Sequence, residues 1–369
     1  MKQLHVLFVC EYYPPHIGGV ETFFYELRKA LVKRGHRVDV VTSAQPGAPR
    51  VEKDEGGVIY RVAVPRVVDR YAFAALALPR VMIASRKVDI IHCTTYTSIP
   101  PAWLASKILR KKTVLSVHEV LGRDFVRFVG GSALTGAILG IFERGLLRFG
   151  FDKTVAVSKS TQRRLPRRHK VRSTVIYHGI DEIFSPGSAV SFGAGREKTF
   201  LFYGRTASQK GLWFLLDSLP EFFKNERMRD GFKFRLIISG PESEREKVRV
   251  FLRNHGLVGV VSVEAGVVRS ALPDAIRGAY CVVVPSFAEG FGFAAAEACA
   301  CGVPVVSSDA GSLPEVIGGK HLFFRAGNSE SLHVALQAAA NGKWEISEVR
   351  NFKWEDAAEE FEKLYLELI

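Results

Sequence analysis

Cys281-Val-Val-Val-Pro285-Ser286-Phe-Ala-Glu289-Gly290-Phe291-Gly292-Phe293-Ala-Ala-Ala-Glu297-Ala-Cys-Ala-Cys-Gly302-Val-Pro304-Val305 is the stretch from which the fold is read. A β-branched run enters a glycine loop, an alanine-rich helix follows, a glycine stops it, and a second β-branched run begins. Strand, loop, helix and strand in that order form the repeating piece of a parallel sheet flanked by helices. Working outward, the same alternation places strands at Thr199–Tyr203, Phe232–Ser239, Val260–Val263, Cys281–Val284 and Val303–Ser307. Helical patterns at Leu212–Lys224 and Arg245–Asn254 lie between them.

Upstream, glycine, proline and serine replace periodic hydrophobics from Ser185-Pro186-Gly187 to Gly193-Ala194-Gly195, and a domain boundary is expected there. Before it, strands are expected at Leu4–Cys10, Arg37–Thr42, Val58–Val64, Asp89–His92, Thr113–His118, Thr154–Val157 and Ser173–Tyr177. Helices are expected at Val20–Arg34, Phe73–Arg86, Ala102–Leu109, Leu134–Leu147 and Lys159–Arg168. The expectation is an α/β protein of two doubly wound, Rossmann-like domains, residues 1–185 and 186–352, facing a cleft. Residues 353–369 add an amphipathic helix, with Ala358, Phe361, Leu364, Tyr365 and Leu368 on one face, that would brace the two.

Composition agrees with this. The chain has 369 residues, 47% hydrophobic and 24% charged, which suits a globular protein with two cores and excludes a disordered one. Five cysteines with one Cys299-x-Cys301 pair argue against a disulfide framework or zinc site and for a reducing compartment. The charge-free runs Ile90–Ser106 and Phe128–Phe142 fall short of the ~20 residues of a spanning helix. Leu4–Cys10 is too short for a signal peptide and reads as the first strand. Charge is divided unevenly: residues 1–185 hold 30 Lys+Arg against 15 Asp+Glu, and the remainder holds 21 against 23.

Four motifs fall where doubly wound sheets place ligands. Gly18-Gly19 follows the first strand, where backbone without Cβ lets an anion approach a helix N-terminus; the alternative is a tight connection. His118 closes a strand at the carboxyl edge, with a structural histidine as the alternative. Tyr203-Gly204-Arg205 through Lys210-Gly211 brings two cations to a strand-to-helix turn, suited to a diphosphate or merely solvated. Glu289 precedes the alanine helix and Glu297 is expected about two turns into it, too far apart for one shared bond. A carboxylate among alanines is costly to bury without a hydrogen-bond donor, and a ribose diol would supply one.

Together these residues resemble retaining glycosyltransferases of the GT-B fold, in particular glycosyltransferase family 4. The likeness runs along essentially the whole chain. It takes in Gly18-Gly19-Val20-Glu21, His118, Val157-Ser158, His178-Gly179-Ile180-Asp181, Gly204-Arg205, Lys210-Gly211, Glu289-x7-Glu297 and Gly311-Ser312-Leu313-Pro314-Glu315. The resemblance implies that Arg205 and Lys210 hold the donor diphosphate, that Glu297 takes the ribose hydroxyls, and that Gly18 and Gly19 approach the phosphates from the opposite domain. Glu289 with Gly290, Phe291 and Gly292 would contact the transferred sugar, and His118 would hydrogen-bond it. Ser158 and Asp181 lie at matching positions. The family often has Asn where His178 stands and Gly where Ser312 stands, departures expected to affect turns more than chemistry.

The implied reaction is transfer of a hexosyl group from a UDP- or GDP-sugar with retention, no cofactor and no metal, since no Asp-x-Asp occurs. Basic residues Lys159, Arg163, Arg164, Arg167, Arg168, Lys170 and Arg172 form one cluster. A second combines Arg123, Arg127, Arg144 and Arg148 with the apolar run Leu134–Phe142. Such mixtures suit an anionic membrane, so a lipid-linked or glycan acceptor and a cytoplasmic, peripheral location at the inner face of the membrane are expected. The alternatives are a solvated cationic face, a sugar-nucleotide epimerase of similar architecture, or a non-catalytic basic protein binding membrane or nucleic acid. No nucleic-acid module is recognisable, so nucleic acid is not an expected partner.

Overall fold

The computed structural model describes residues 2–16, 18–65, 69–128, 133–187 and 198–369. The chain forms two compact units. The first is Met1–Arg127, Gly131–Gly179 and Phe352–Ile369; the second is Phe128–Gly130 and Ile180–Asn351. The expected linker lies mostly outside the described residues.

The first unit holds an eight-stranded sheet: β1 (His5–Val9), β2 (Arg37–Ser43), β3 (Val51–Asp54), β4 (Gly57–Val62), β5 (Ile90–Thr94), β6 (Lys112–Val117), β7 (Lys153–Ala156) and β8 (Ser173–Val175). Their order is β3-β4-β2-β1-β5-β6-β7-β8, parallel except for the β3–β4 hairpin. The central strands are apolar on both faces, as required when helices cover both sides; Val6, Leu7, Phe8 and Val9 are all fully buried. Helix Trp354–Leu366 packs into this unit, burying Ala358, Phe361, Leu364 and Tyr365, and the Tyr365 hydroxyl lies 2.6 Å from His92 Nδ1.

The second unit holds β9 (Lys198–Arg205), β10 (Phe232–Ser239), β11 (Val261–Ala265), β12 (Cys281–Val284), β13 (Val305–Ser308), β14 (Gly319–Phe324) and β15 (Glu345–Ser347), ordered β11-β10-β9-β12-β13-β14-β15. All pair in parallel but β15. Phe200 and Phe234 face each other across β9 and β10 and stack with centroids 4.9 Å apart, which fixes the register.

Several boundaries differ from expectation. The helix expected over Phe73–Arg86 is two, Asp69–Leu76 and Leu78–Ser85, because Pro79 lacks the N–H that a continuous helix needs. Pro166 likewise divides Lys159–Arg168 into Lys159–Arg164 and Arg167–Lys170. β13 begins at Val305, after Pro304, rather than at Val303. The alanine helix runs Phe293–Ala300, so Glu297 sits about one turn in, not two. β3, β14 and β15 were not expected; β3 and β15 are mostly exposed edge strands without apolar alternation.

Candidate active site

The carboxyl ends of β9, β11 and β12 carry the polar groups of the second unit. β9 runs out through Gly204 to Arg205, which is exposed, and a single turn Ser208–Lys210 follows. Gly211 has φ +71°, and a Cβ there would fall 1.9 Å from the Pro285 carbonyl oxygen. Only glycine lets this turn lie against the exit of β12. That close approach sets Lys210 Nζ 2.7 Å from Glu289 Oε1, an oxygen that also accepts from Ser286 Oγ at 2.8 Å. The Glu289 main chain is pinned in turn: its carbonyl accepts from the Ser312 N–H at 3.2 Å, and a Cβ on Gly311 would meet that carbonyl oxygen at 2.3 Å. Ser312 Oγ lies 3.3 Å from the same oxygen, so the serine side chain adds a contact to this turn that a glycine would lack.

Beyond Glu289 the loop passes through Gly290 and Phe291 to Gly292, which caps the helix Phe293–Ala300 at φ +91°. Glu297, buried in this helix, is met by two side chains. The Tyr203 hydroxyl lies 3.1 Å from Oε2, and Arg269 Nη1 lies 3.4 Å from Oε1. Burial raises its carboxyl to about 7, against the lowering effect of Arg269 and Tyr203. Arg269 Nε also approaches Asp181 Oδ2 at 3.6 Å. Glu289 and Glu297 therefore have separate partners, as their spacing requires. Lys210 and Glu289 come together, whereas Arg205 makes no ion pair or side-chain hydrogen bond among the described residues.

In the first unit, Gly18 caps helix Gly19–Lys33. A Cβ on Gly18 would meet Glu21 Oε2 at 2.2 Å, so glycine here lets the protein's own carboxylate fold back over the helix start. Glu21 Oε1 lies 2.8 Å from His16 Nδ1. His118 stands one residue past β6, its ring edge-on to Phe23 at 4.8 Å. Its Nε2 is buried with no hydrogen-bond partner among the described residues, and burial holds the ring down to about 3, against the raising effect of Glu21. A neutral imidazole with one unpartnered nitrogen is suited to a substrate hydroxyl.

Ser158 and His178, both part of the likeness noted in the sequence, make contacts within the first unit. Ser158 Oγ caps helix Lys159–Arg164, accepting from the Thr161 N–H at 3.1 Å. His178 stacks on Phe23 at 4.7 Å and Trp354 at 6.0 Å, and a Cβ on Gly179 would fall 2.3 Å from the Trp354 nitrogen. This turn seats the C-terminal helix, and an imidazole fills the aromatic stack. Tyr203, Ser286 and Arg269 were not anticipated. Tyr203 could have been flagged as the last aromatic residue of its strand, but Arg269 carries no local signal.

Residues 17–183 match the family described as Glycosyltransferase Family 4, and residues 189–356 match that described as Glycosyl transferases group 1, together nearly the whole chain. An uncharacterized glycosyltransferase of Methanocaldococcus jannaschii, MJ1607, is 28% identical over 83% of this chain and 80% of its own. A phosphatidylinositol N-acetylglucosaminyltransferase subunit of Arabidopsis thaliana is 23% identical over 98% of this chain and 82% of its own. Among solved structures, sucrose-phosphate synthase of Thermosynechococcus elongatus superposes with a TM-score of 0.81 at 21% identity, covering 99% of each chain.

Proposed function

Because the chain is a glycosyltransferase of family 4 with the GT-B fold, we propose that it moves a hexosyl group from a UDP- or GDP-sugar to a lipid-linked acceptor. In this reading the transfer retains anomeric configuration and uses neither cofactor nor metal. The supporting observation is the Lys210–Glu289 pair at the glycine loop, with Glu297 buried about one turn into the helix that the loop leads into. Breaking a sugar–phosphate bond leaves negative charge on the diphosphate and positive character on the ring. Lys210, with Arg205 near it in sequence, stabilises the departing diphosphate, and the N-terminus of Phe293–Ala300 adds a favourable dipole. Glu297 accepts from the ribose hydroxyls. Glu289 with Gly290, Phe291 and Gly292 borders the transferred sugar. Gly18, Gly19 and His118 are the first unit's candidates for phosphate and sugar contact. No protein nucleophile is assigned. Proton NMR of the early product tests this: the donor's anomeric configuration is expected, and an inverted product overturns it.

A lipid-linked acceptor, rather than a free glycan, is favoured by the surface of the first unit. Helix Ala133–Leu146 inverts the usual amphipathic arrangement. It buries Gly136, Gly140, Glu143 and Leu146 and leaves Leu134, Ile138 and Ile141 exposed at 69%, 56% and 67%. The glycines let it lie on backbone: a Cβ on Gly136 would fall 2.5 Å from Val126 Cα, and one on Gly140 2.6 Å from the Gly122 carbonyl oxygen. Buried Glu143 ties it down, accepting from the N–H groups of Leu121 and Gly122 and from the Tyr96 hydroxyl. Exposed Arg123, Arg127, Arg144 and Arg148 flank this apolar surface. Apolar bulk with an arginine rim matches an anionic bilayer surface, so the protein docks there peripherally, at the cytoplasmic face. Among the described residues no helix is long and apolar enough to cross a membrane. The name of the Arabidopsis relative, which carries phosphatidylinositol, supports the same class of acceptor.

A further inference from the structure

Glu297 is the one charged residue in the helix Phe293–Ala300, and it is buried there. Tyr203 does not secure its charge. The phenol has one proton and two acceptors in reach, and the Ala294 carbonyl at 2.7 Å is nearer than Glu297 Oε2 at 3.1 Å. The cation that compensates the carboxylate is Arg269, from the turn that follows β11.

Arg269 is itself held in place. Its guanidinium carbon lies 5.1 Å over the ring of Phe184, a buried residue, and Nε faces Asp181 Oδ2 at 3.6 Å. We propose that Arg269 is a positioning residue of the donor site, clamped by Asp181 and Phe184 so that it keeps the Glu297 carboxylate ionised and oriented as an acceptor for the ribose diol. This rests on the reading that Glu297 receives the ribose hydroxyls. The stoichiometry fits: an ionised carboxylate offers about four acceptor positions, Arg269 takes one on Oε1 and Tyr203 lies within reach of one on Oε2, so at least one per oxygen is left for a diol.

The proposal carries a pH dependence. The titratable groups facing Glu297 are Tyr203 from β9, Arg269, Asp181 and, at the end of its own helix, Cys301. Arg269 and Tyr203 favour the ionised form; burial and Asp181 oppose it. With the carboxyl near 7, donor affinity falls as pH drops below about 7 and the acceptor protonates. Removing Arg269 moves that fall to higher pH.

Titration calorimetry with UDP and GDP, and with their 2′-deoxy counterparts, tests this in the full-length protein. Measurements run from about pH 5.5 to 8.5 on wild type, Arg269→Gln, Arg269→Lys and Glu297→Gln. For whichever diphosphate binds more tightly, Arg269→Gln is expected to weaken ribonucleotide binding about 10-fold at pH 7. It should shift the pH profile upward and shrink the preference for ribose over deoxyribose, and Arg269→Lys should restore part of each. An unshifted profile with unchanged ribose preference in Arg269→Gln overturns the role of Arg269. If Glu297→Gln also keeps the ribose preference, the ribose reading itself fails and this inference with it. Binding of neither diphosphate overturns both.

Discussion

Lys210→Ala is expected to lower kcat/KM for the nucleotide-sugar by about 10²–10³-fold, the loss typical of removing one preorganised group that stabilises developing charge. Two effects combine. The variant loses the cation placed to meet the departing diphosphate. It also strips half-buried Glu289 of its ion-pair partner at 2.7 Å, leaving Ser286 as its remaining side-chain donor among the described residues. An uncompensated carboxylate beside the glycine loop repels the diphosphate, so the loss should exceed that of a simple surface lysine. Lys210→Arg should recover part of the rate, because charge is restored but the point-charge geometry is not. Steady-state kinetics of donor turnover measures this, with a melting curve to show that the variant is folded. A loss below about 10-fold in a folded Lys210→Ala would contradict the assigned role.

The second large effect is expected at the membrane. Ile138→Glu combined with Ile141→Glu should reduce partitioning onto anionic vesicles by about two orders of magnitude or more. Each isoleucine is worth roughly 1.5–3 kcal/mol on burial, and each new charge is repelled by the anionic surface. Both side chains are exposed, so melting temperature and turnover of soluble donor should stay near wild type. Flotation with phosphatidylserine-containing and neutral vesicles is the assay. Equal flotation of wild type and variant would remove this helix from the docking surface. Loss of a dimer on size exclusion, without vesicle binding by wild type, would assign the face to a second copy instead.

The sequence was most informative where chemistry and fold coincide. The repeated strand–loop–helix order, the Gly211 turn and the Glu289-x7-Glu297 segment predicted two doubly wound units and the residues at their strand ends. What it could not carry was partnership across distant segments. Arg269, in the turn after β11, meets Glu297, in the helix after β12, and Asp181, ahead of β9, only through tertiary packing, and nothing local to Val268-Arg269-Ser270 marks that encounter. Gly18 illustrates a second limit. The glycine is required, but in this structure its missing Cβ makes room for Glu21, whose carboxylate occupies the helix start where an incoming anion was expected. Exposed edge strands such as Glu345–Ser347 were missed because they have no buried face to impose alternation.

The most direct test of the central claim, that the second unit binds a nucleotide-sugar through Glu297, is the melting temperature of wild type and Glu297→Ala with UDP-, GDP- and ADP-sugars. One class of donor should raise the wild-type melting temperature by mass action, and Glu297→Ala should lose that response. Equal stabilisation of both proteins, or no stabilisation of wild type by any donor, would contradict the account.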